Sequence, residues 1–263
     1  MAIKLISVDM DGTFLDDSMQ YDRPRFAALK QRMDERGIRF VIASGNQFFQ
    51  LRSYFEDYDD IIYIAENGAF VTDQKVDYLT STFTDDEVTA TLERLAELPQ
   101  ILTLLSGRKS AYVLDSTDAL YRAVMAKYYY RLETVDSFDA VDDQILKFAL
   151  TTPRDETVSI AETLRATLNG IAVPTSSGHG SIDLIKPGIH KGHALAHLGG
   201  ILGIEPADMV AFGDGGNDLE MLQLVGRGVA MANAPEPVKA VADDLAASNN
   251  DQGVLAYLEQ LGL

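Results

Sequence analysis

The sequence contains no cysteine. That excludes a disulfide framework, a thiolate metal site and a cysteine nucleophile. No apolar run approaches the ~20 residues that span a bilayer. The opening MAIKLISVDM turns acidic quickly and lacks the charged start and small-residue cleavage site of a secretory signal, so the expected location is the cytoplasm. No internal repeat or low-complexity segment is present. Positive charge is scarce: 22 Lys and Arg face 40 Asp and Glu, for a net charge of −18. Nucleic acid and anionic membrane both need a basic face, so neither is expected as a partner. An anionic small substrate would need local cations, either a few placed Lys or Arg side chains or a bound metal.

What the chain does contain is ordinary for a globular protein: 263 residues, 46% hydrophobic and 24% charged, enough for a large core in one domain or two. Short β-branched runs alternate with helical patterns, the rhythm of parallel strands joined by crossover helices. IKLISV (3–8), IRFVIA (38–43) and IIYIA (61–65) read as strands, with helices over 22–36 and 46–55. Asp22 is placed to cap the first helix and Gly37 to stop it. From Gly68 to Phe83 the pattern becomes strand, turn, strand, which is a hairpin. Thr84 and Glu87 then have capping-box spacing ahead of Val88, Leu92 and Leu95. The parallel rhythm returns with a helix over 190–199, the strand DMVAFG (208–213), a helix over 217–225 and the strand GVAMA (228–232). The expected architecture is α/β: a doubly wound parallel-sheet core, 1–83 and 187–263, interrupted by an α+β module over 84–186.

Open parallel sheets bind ligands at the carboxyl ends of their strands. Applied here, that rule gathers Asp9-Met10-Asp11-Gly12-Thr13, Ser44-Gly45-Asn46, Glu66-Asn67-Gly68 and Gly213 to Asp218 in one place. Converging carboxylates with few bases nearby need a hard cation among them, and oxygen-only ligands favour Mg²⁺. Such a metal would also let a phosphate approach so acidic a chain. Asp9, ionised beside it, is the candidate nucleophile toward phosphorus. Asp11 is the candidate acid and base, its pKa raised by the neighbouring charge and its backbone carbonyl turned to the metal. Gly12 gives the turn its freedom. Ser44 and Gly45 are expected to open a helix and offer a hydroxyl and N–H groups to phosphate. Lys191 is the candidate cation for the same phosphate; read alone it is more often a solvated lysine at a helix start, and the order of the motifs is what singles it out.

DMDGT, ASGN, HKG and GDGGND, in that order, resemble the four motifs of the haloacid dehalogenase superfamily of phosphohydrolases. The place of the insertion resembles the type IIB cap of the Cof-type branch, as do AENGA and NNDQGV, and the likeness spans the whole chain. It is strongest to bacterial sugar phosphatases of that branch. The resemblance implies a Rossmann-like core, Mg²⁺, Asp9 as nucleophile and Asp11 as acid/base. It implies phosphate contacts from Ser44, Lys191, Asn217 and the backbone N–H groups of Met10 and Gly45. Asp214 would hold the metal, with Asp218 behind it. Asn46 stands where many members carry arginine, which removes a cation near the entrance.

Other features are set against plainer alternatives. His193 and His197 are four apart, but the glutamate of a zinc-protease motif is absent, so they read as surface residues. Tyr128-Tyr129-Tyr130 reads as packing within the insertion, with a tyrosine facing the substrate as the alternative. SSGHGS (176–181) is either a solvent-exposed hairpin turn or a cap loop in which His179 touches the sugar part of a substrate. The expected function is a Mg²⁺-dependent phosphatase for small phosphorylated metabolites, sugar phosphates foremost. The alternatives are a phosphomutase of the phosphomannomutase type and a non-catalytic sensor that binds sugar phosphate. No sequence feature indicates an oligomeric state.

Overall fold

The β-branched runs become the strands of two separate sheets. A computed structural model describes residues 3–178 and 180–263. In chain order the strands are β1 (Leu5–Val8), β2 (Arg39–Ala43), β3 (Ile62–Ala65), β4 (Phe70–Thr72) and β5 (Asp77–Thr80). There follow β6 (Leu102–Gly107), β7 (Ala111–Leu114), β8 (Leu132–Val135), β9 (Ile145–Thr151), β10 (Val173–Gly178) and β11 (Ser181–Ile185). The last three are β12 (Met209–Gly213), β13 (Arg227–Met231) and β14 (Asp244–Ala246).

The first sheet runs β14-β13-β12-β1-β2-β3-β4-β5. Its pairings are parallel from β14 to β3, and the hairpin strands β4 and β5 extend it antiparallel at one edge. Alternate residues of each strand feed two apolar layers. Ile6, Val8, Phe40, Ile42 and Phe212 face one, while Leu5, Val41, Ala43, Met209 and Ala211 face the other. Burial on both faces is what a parallel sheet covered by crossover helices requires. The chain builds outward from β1 in one direction and, after the second sheet, from β12 in the other. β1 and β12 lie side by side, Val8 opposite Phe212, so the reversal of strand order falls between them. There the two loops leaving the strand ends part and open a crevice.

The second sheet is mixed, in the order β10-β11-β9-β6-β7-β8, with only β7 and β8 parallel. Its own apolar layer includes Leu105, Phe148, Leu150, Ile182 and Leu184 beneath the helices Asp85–Ala96 and Thr157–Thr167. The first of those helices carries the capping box: Thr84 accepts from Glu87 N–H, and the Glu87 carboxylate accepts from Thr84 N–H at 2.7 Å.

The elements differ from expectation in three places. The helix expected over 46–55 is confined to Phe48–Ser53. The helix expected to end at 199 continues to Leu202, because Gly199 and Gly200 are carried within it and a left-handed Gly203 ends it. β14 and the final helix Gly253–Gln260 complete the core beyond the elements read from the sequence. No helix among the described residues is long and apolar enough to cross a membrane.

The loop after β1 is pinned to the core by Phe14, which is 2% exposed. Its ring centroid lies 5.0 Å from Tyr21, 5.4 Å from Phe26, and 5.8 Å from both Phe40 and Phe55. The Phe14 and Leu15 N–H groups donate to the Met10 carbonyl, so the same packing fixes the turn that carries Asp9 and Asp11. Phe14→Ala is expected to lower unfolding free energy by about 3–5 kcal/mol, measured by urea denaturation.

Candidate active site

Asp9 follows directly on β1, and its N–H still pairs with the Phe212 carbonyl of β12 at 3.0 Å. The sheet ladder therefore sets the position of its carboxylate. Lys191, the first residue of the helix Lys191–Leu202, is 1% exposed and reaches under the strand ends. Its ammonium donates to Asp9 Oδ1 at 2.6 Å and to Asp218 Oδ1 at 2.7 Å. A solvated lysine at a helix start is therefore not what the fold contains. The other Asp218 oxygen accepts from the N–H groups of Asp214 and Gly215 at 3.0 and 2.9 Å. Asp218 thus shapes the turn after β12 while balancing Lys191.

Asp214 faces back across this turn, where Thr13 Oγ1 donates to its Oδ1 at 2.7 Å. Gly12 lies beneath it with φ +76°, and a Cβ there would come within 2.5 Å of Asp214 Oδ2. The glycine is required both for the left-handed backbone and for the close approach. Carboxylate oxygens of Asp9, Asp214 and Asp218 lie within 4.8 Å of one another, a group that can hold a metal ion.

The electrostatics follow from burial. Desolvation pushes the Asp9 carboxyl well up, with Lys191 opposing and Asp218 and Asp214 adding to the rise. Asp214 is pushed up to about 6, mainly by burial, against the Thr13 hydrogen bond. For Lys191 burial alone would favour the neutral amine, but Asp218 and Asp9 outweigh it and hold the ammonium charged.

Asp11 lies outside the carboxylate group, at the water-accessible mouth of the cleft. Asn46 Nδ2 donates to its Oδ2 at 2.6 Å. Its pKa is raised as expected, but the cause differs: desolvation between the cleft walls dominates, while Asn46 and Lys191 pull the other way. Asn46, which the sequence marks only as a missing arginine, has become the partner of Asp11.

Ser44 and Gly45 do not open a helix. The Ser44 hydroxyl accepts from Asn46 N–H at 3.1 Å, and the Ser44 and Asn46 carbonyls accept from the N–H groups of Asn67 and Glu66. These bonds tie the segment to the end of β3 and delay the helix to Phe48. Asn67, in the left-handed region at φ 57°, accepts from Asn217 Nδ2 at 3.1 Å. Ser44, Gly45, Asn46 and Asn217 thereby line one cavity with Asp9, Asp11 and Asp214, about 830 Å³ in volume. Met10 is different: it is fully buried in the core and does not line the cavity. His179 lies outside the described residues.

The far side of the cavity comes from the second sheet. Lys147 of β9 donates to the Gly45 carbonyl at 2.5 Å and to Asp183 Oδ2 at 3.2 Å, with Glu66 Oε2 at 3.0 Å. Asn67 Nδ2 donates to the same Asp183 oxygen at 2.7 Å. Gln47 is tied to the backbone of Arg131 by two hydrogen bonds, of 2.8 and 3.0 Å. None of Lys147, Asp183 or Gln47 was singled out by sequence. Strand alternation is the signal that could have found the first two: in ILKFALT and SIDLI they are the charged residues of otherwise apolar strands. The tyrosine run also divides. Tyr129 is buried, as packing requires, but Tyr128 is 47% exposed and lines the cavity. His193 and His197 are exposed, as expected of surface residues.

An α/β core with a second sheet over a carboxylate–lysine site at the strand reversal defines a class of capped hydrolases. The sequence model of the haloacid dehalogenase-like hydrolase family matches residues 6–258, and the chain belongs to that family. It is a phosphatase of the Cof-type branch. It is 42% identical over 262 residues to the Escherichia coli protein named 5-amino-6-(5-phospho-D-ribitylamino)uracil phosphatase, covering 99% of this chain and 97% of that one. A Bacillus subtilis protein of the same name is 28% identical, with 98% of each chain covered. A crystal structure of a Streptococcus mutans protein matches with a TM-score of 0.94, at 35% identity and 99% coverage of both chains.

Lys191→Met would leave Asp9 and Asp218 buried without their cation. It is expected to cost roughly 3–5 kcal/mol of stability, read from the shift in chemical denaturation.

Proposed function

We propose that the protein is a Mg²⁺-dependent phosphatase of small phosphorylated metabolites, acting through an aspartyl-phosphate on Asp9. The observation that carries this reading is the position of Asp9: fixed by the sheet ladder, paired with a buried ammonium, and facing a large cavity. A hard cation fits the donor set, which is all oxygen and holds three carboxylates against the single charge of Lys191. Asp9, Asp214 and the Asp11 carbonyl would hold Mg²⁺, with Asp218 supporting them from behind. Bound there, Mg²⁺ would draw charge from the transferring phosphoryl group.

The chain's own groups do the rest. Asp9 attacks phosphorus, and the bond from phosphorus to the leaving oxygen breaks. Asp11, whose carboxyl desolvation shifts upward, gives a proton to that oxygen. Water then attacks the phosphoryl group; Asp11 takes its proton, and the bond to Asp9 breaks to release phosphate. Lys191, the Ser44 hydroxyl, Asn217 and the N–H groups of Met10 and Gly45 hold the phosphoryl oxygens. Residues 84–186 act as the cap that excludes bulk water.

The substrate would be a phosphate monoester on a polyhydroxylated carbon chain, either a sugar phosphate or a phosphorylated sugar alcohol. The name of the Escherichia coli relative puts 5-amino-6-(5-phospho-D-ribitylamino)uracil first among candidates. Hydrolysis is preferred to phosphoryl return because both curated relatives described above are named phosphatases. A mutase would instead yield an isomerised sugar phosphate and no free phosphate.

Asp9→Asn should abolish phosphate release while leaving the circular dichroism spectrum unchanged; near-normal turnover would eliminate the aspartyl-phosphate. Excess chelator should stop hydrolysis, and added Mg²⁺ should restore it. Activity that persists in chelator would rule out the metal.

A further inference from the structure

The face of the second sheet that meets the cavity is covered unevenly. Phe148 and Leu150 of β9 and Ile182 and Leu184 of β11 point into the apolar layer on the far side. By strand alternation Ala149 of β9, and Ser181 and Asp183 of β11, point the opposite way. Tyr121, Met125 and Tyr129, from the helix Ala119–Met125 and the turn after it, pack on Ala149 and on the apolar residues of β6 and β7. At the other edge β10 rests against the Gly216–Asp218 turn of the core. Between these two covers β11 is left to face the cleft, and Ser181 and Asp183 line the cavity.

Asp183 stands at the inner end of this strand face. Its Oδ2 accepts from Asn67 Nδ2 at 2.7 Å and from Lys147 Nζ at 3.2 Å. Asn67 is bonded in turn to Asn217, and Lys147 to the Gly45 carbonyl. One intervening side chain therefore joins Asp183 to each of two residues placed around the phosphate. The second oxygen differs. Among the described residues nothing donates a hydrogen bond to Asp183 Oδ1, although the side chain is only 10% exposed. Nor is Oδ1 sealed in the core, since the residue lines the cavity. A carboxylate oxygen can only accept, and leaving it without a donor where water is scarce is costly. It suits a ligand that brings a donor, such as a hydroxyl, and it opposes a second phosphate or a carboxylate at the same point. The Lys147 ammonium offsets part of its charge, which lets it stand near a phosphate-binding turn.

We propose that Asp183 is a specificity-determining residue whose Oδ1 accepts a hydrogen bond from a hydroxyl on the carbon chain next to the phosphate ester. This rests on the phosphatase reading above and extends it from the phosphate to the start of the leaving group. Ser181 lies about 7 Å farther along β11, at ~3.3 Å per residue. Beyond it the stem of Arg154 lies over Gly180, and both residues line the cavity. The rest of a longer leaving group would run outward along this strand.

The test compares kcat/KM for ribitol 5-phosphate with that for pentyl phosphate, a chain of the same length without hydroxyls. The wild-type protein should prefer ribitol 5-phosphate by at least about tenfold. Asp183→Asn keeps an acceptor for Asn67 and Lys147 but removes the charged acceptor from the cavity. It should lower kcat/KM for ribitol 5-phosphate at least about fivefold, and that for pentyl phosphate less than about twofold. Asp183→Ala should show a larger loss with the same selectivity; should it fail to fold, the asparagine variant decides. Equal turnover of the two esters by the wild-type protein, or variants that affect both esters alike, would overturn the hydroxyl contact and leave the phosphatase reading intact. Hydrolysis of neither ester by the wild-type protein overturns the polyol-phosphate reading together with this one.

Discussion

The site depends on one buried ammonium. Lys191 is held between Asp9 and Asp218 with almost no access to water, and its charge is what permits two carboxylates to sit at the ends of adjacent buried strands. A buried ion pair of this kind contributes little net stability, since desolvation offsets much of the attraction. Its value here is positional. Lys191 begins a helix, Asp9 ends β1 and Asp218 closes the turn after β12, so the ammonium fixes three elements around a single point. Asp214 and Thr13 add a second tie between the same two turns. The strand reversal provides the crevice, and the ammonium fixes where its acidic residues stand.

A second buried lysine performs the analogous task where the two sheets meet. Lys147 belongs to the second sheet, yet its partners Glu66 and Gly45 belong to the first. Burial alone would neutralise it, but Asp183 and Glu66 outweigh that and keep it charged. Separating the sheets would leave these charges without partners, so the network favours a closed arrangement over the cavity. Asn67 connects the two centres: it accepts from Asn217 on one side and donates to Asp183 on the other. Asn217 of the first sheet's cleft and Asp183 and Lys147 of the second sheet are thus joined by a chain of direct hydrogen bonds.

The carboxylate cluster was largely legible because its residues lie in short contiguous stretches at strand ends. DMDGT and GDGGND each place their carboxylates within five residues, where backbone geometry leaves little freedom. The turn at Ser44 was less legible. Its helix starts late because Asn67 and Glu66, some twenty residues on, bond to its carbonyls. The rise in the Asp11 pKa was expected from a neighbouring charge, but its main cause, desolvation at the cleft mouth, is a property of the assembled fold. Lys147, Asp183 and Arg154 are isolated charges in strands or loops of the second sheet, and no local pattern relates them to one another.

By itself the sequence determined the alternation of strands and helices, the interruption between them, and the residue types gathered at the carboxyl ends of the core strands. Those follow from hydrophobic periodicity and from the position of each motif after its strand. Only the tertiary structure decided that Lys191 is buried between two aspartates, that Asn46 serves Asp11, and that Lys147 of the second sheet meets Glu66 and Gly45 of the first. The reason is physical. Periodicity reports which side of an element avoids water, whereas charge pairing and desolvation depend on what another element, distant in the chain, brings against that side.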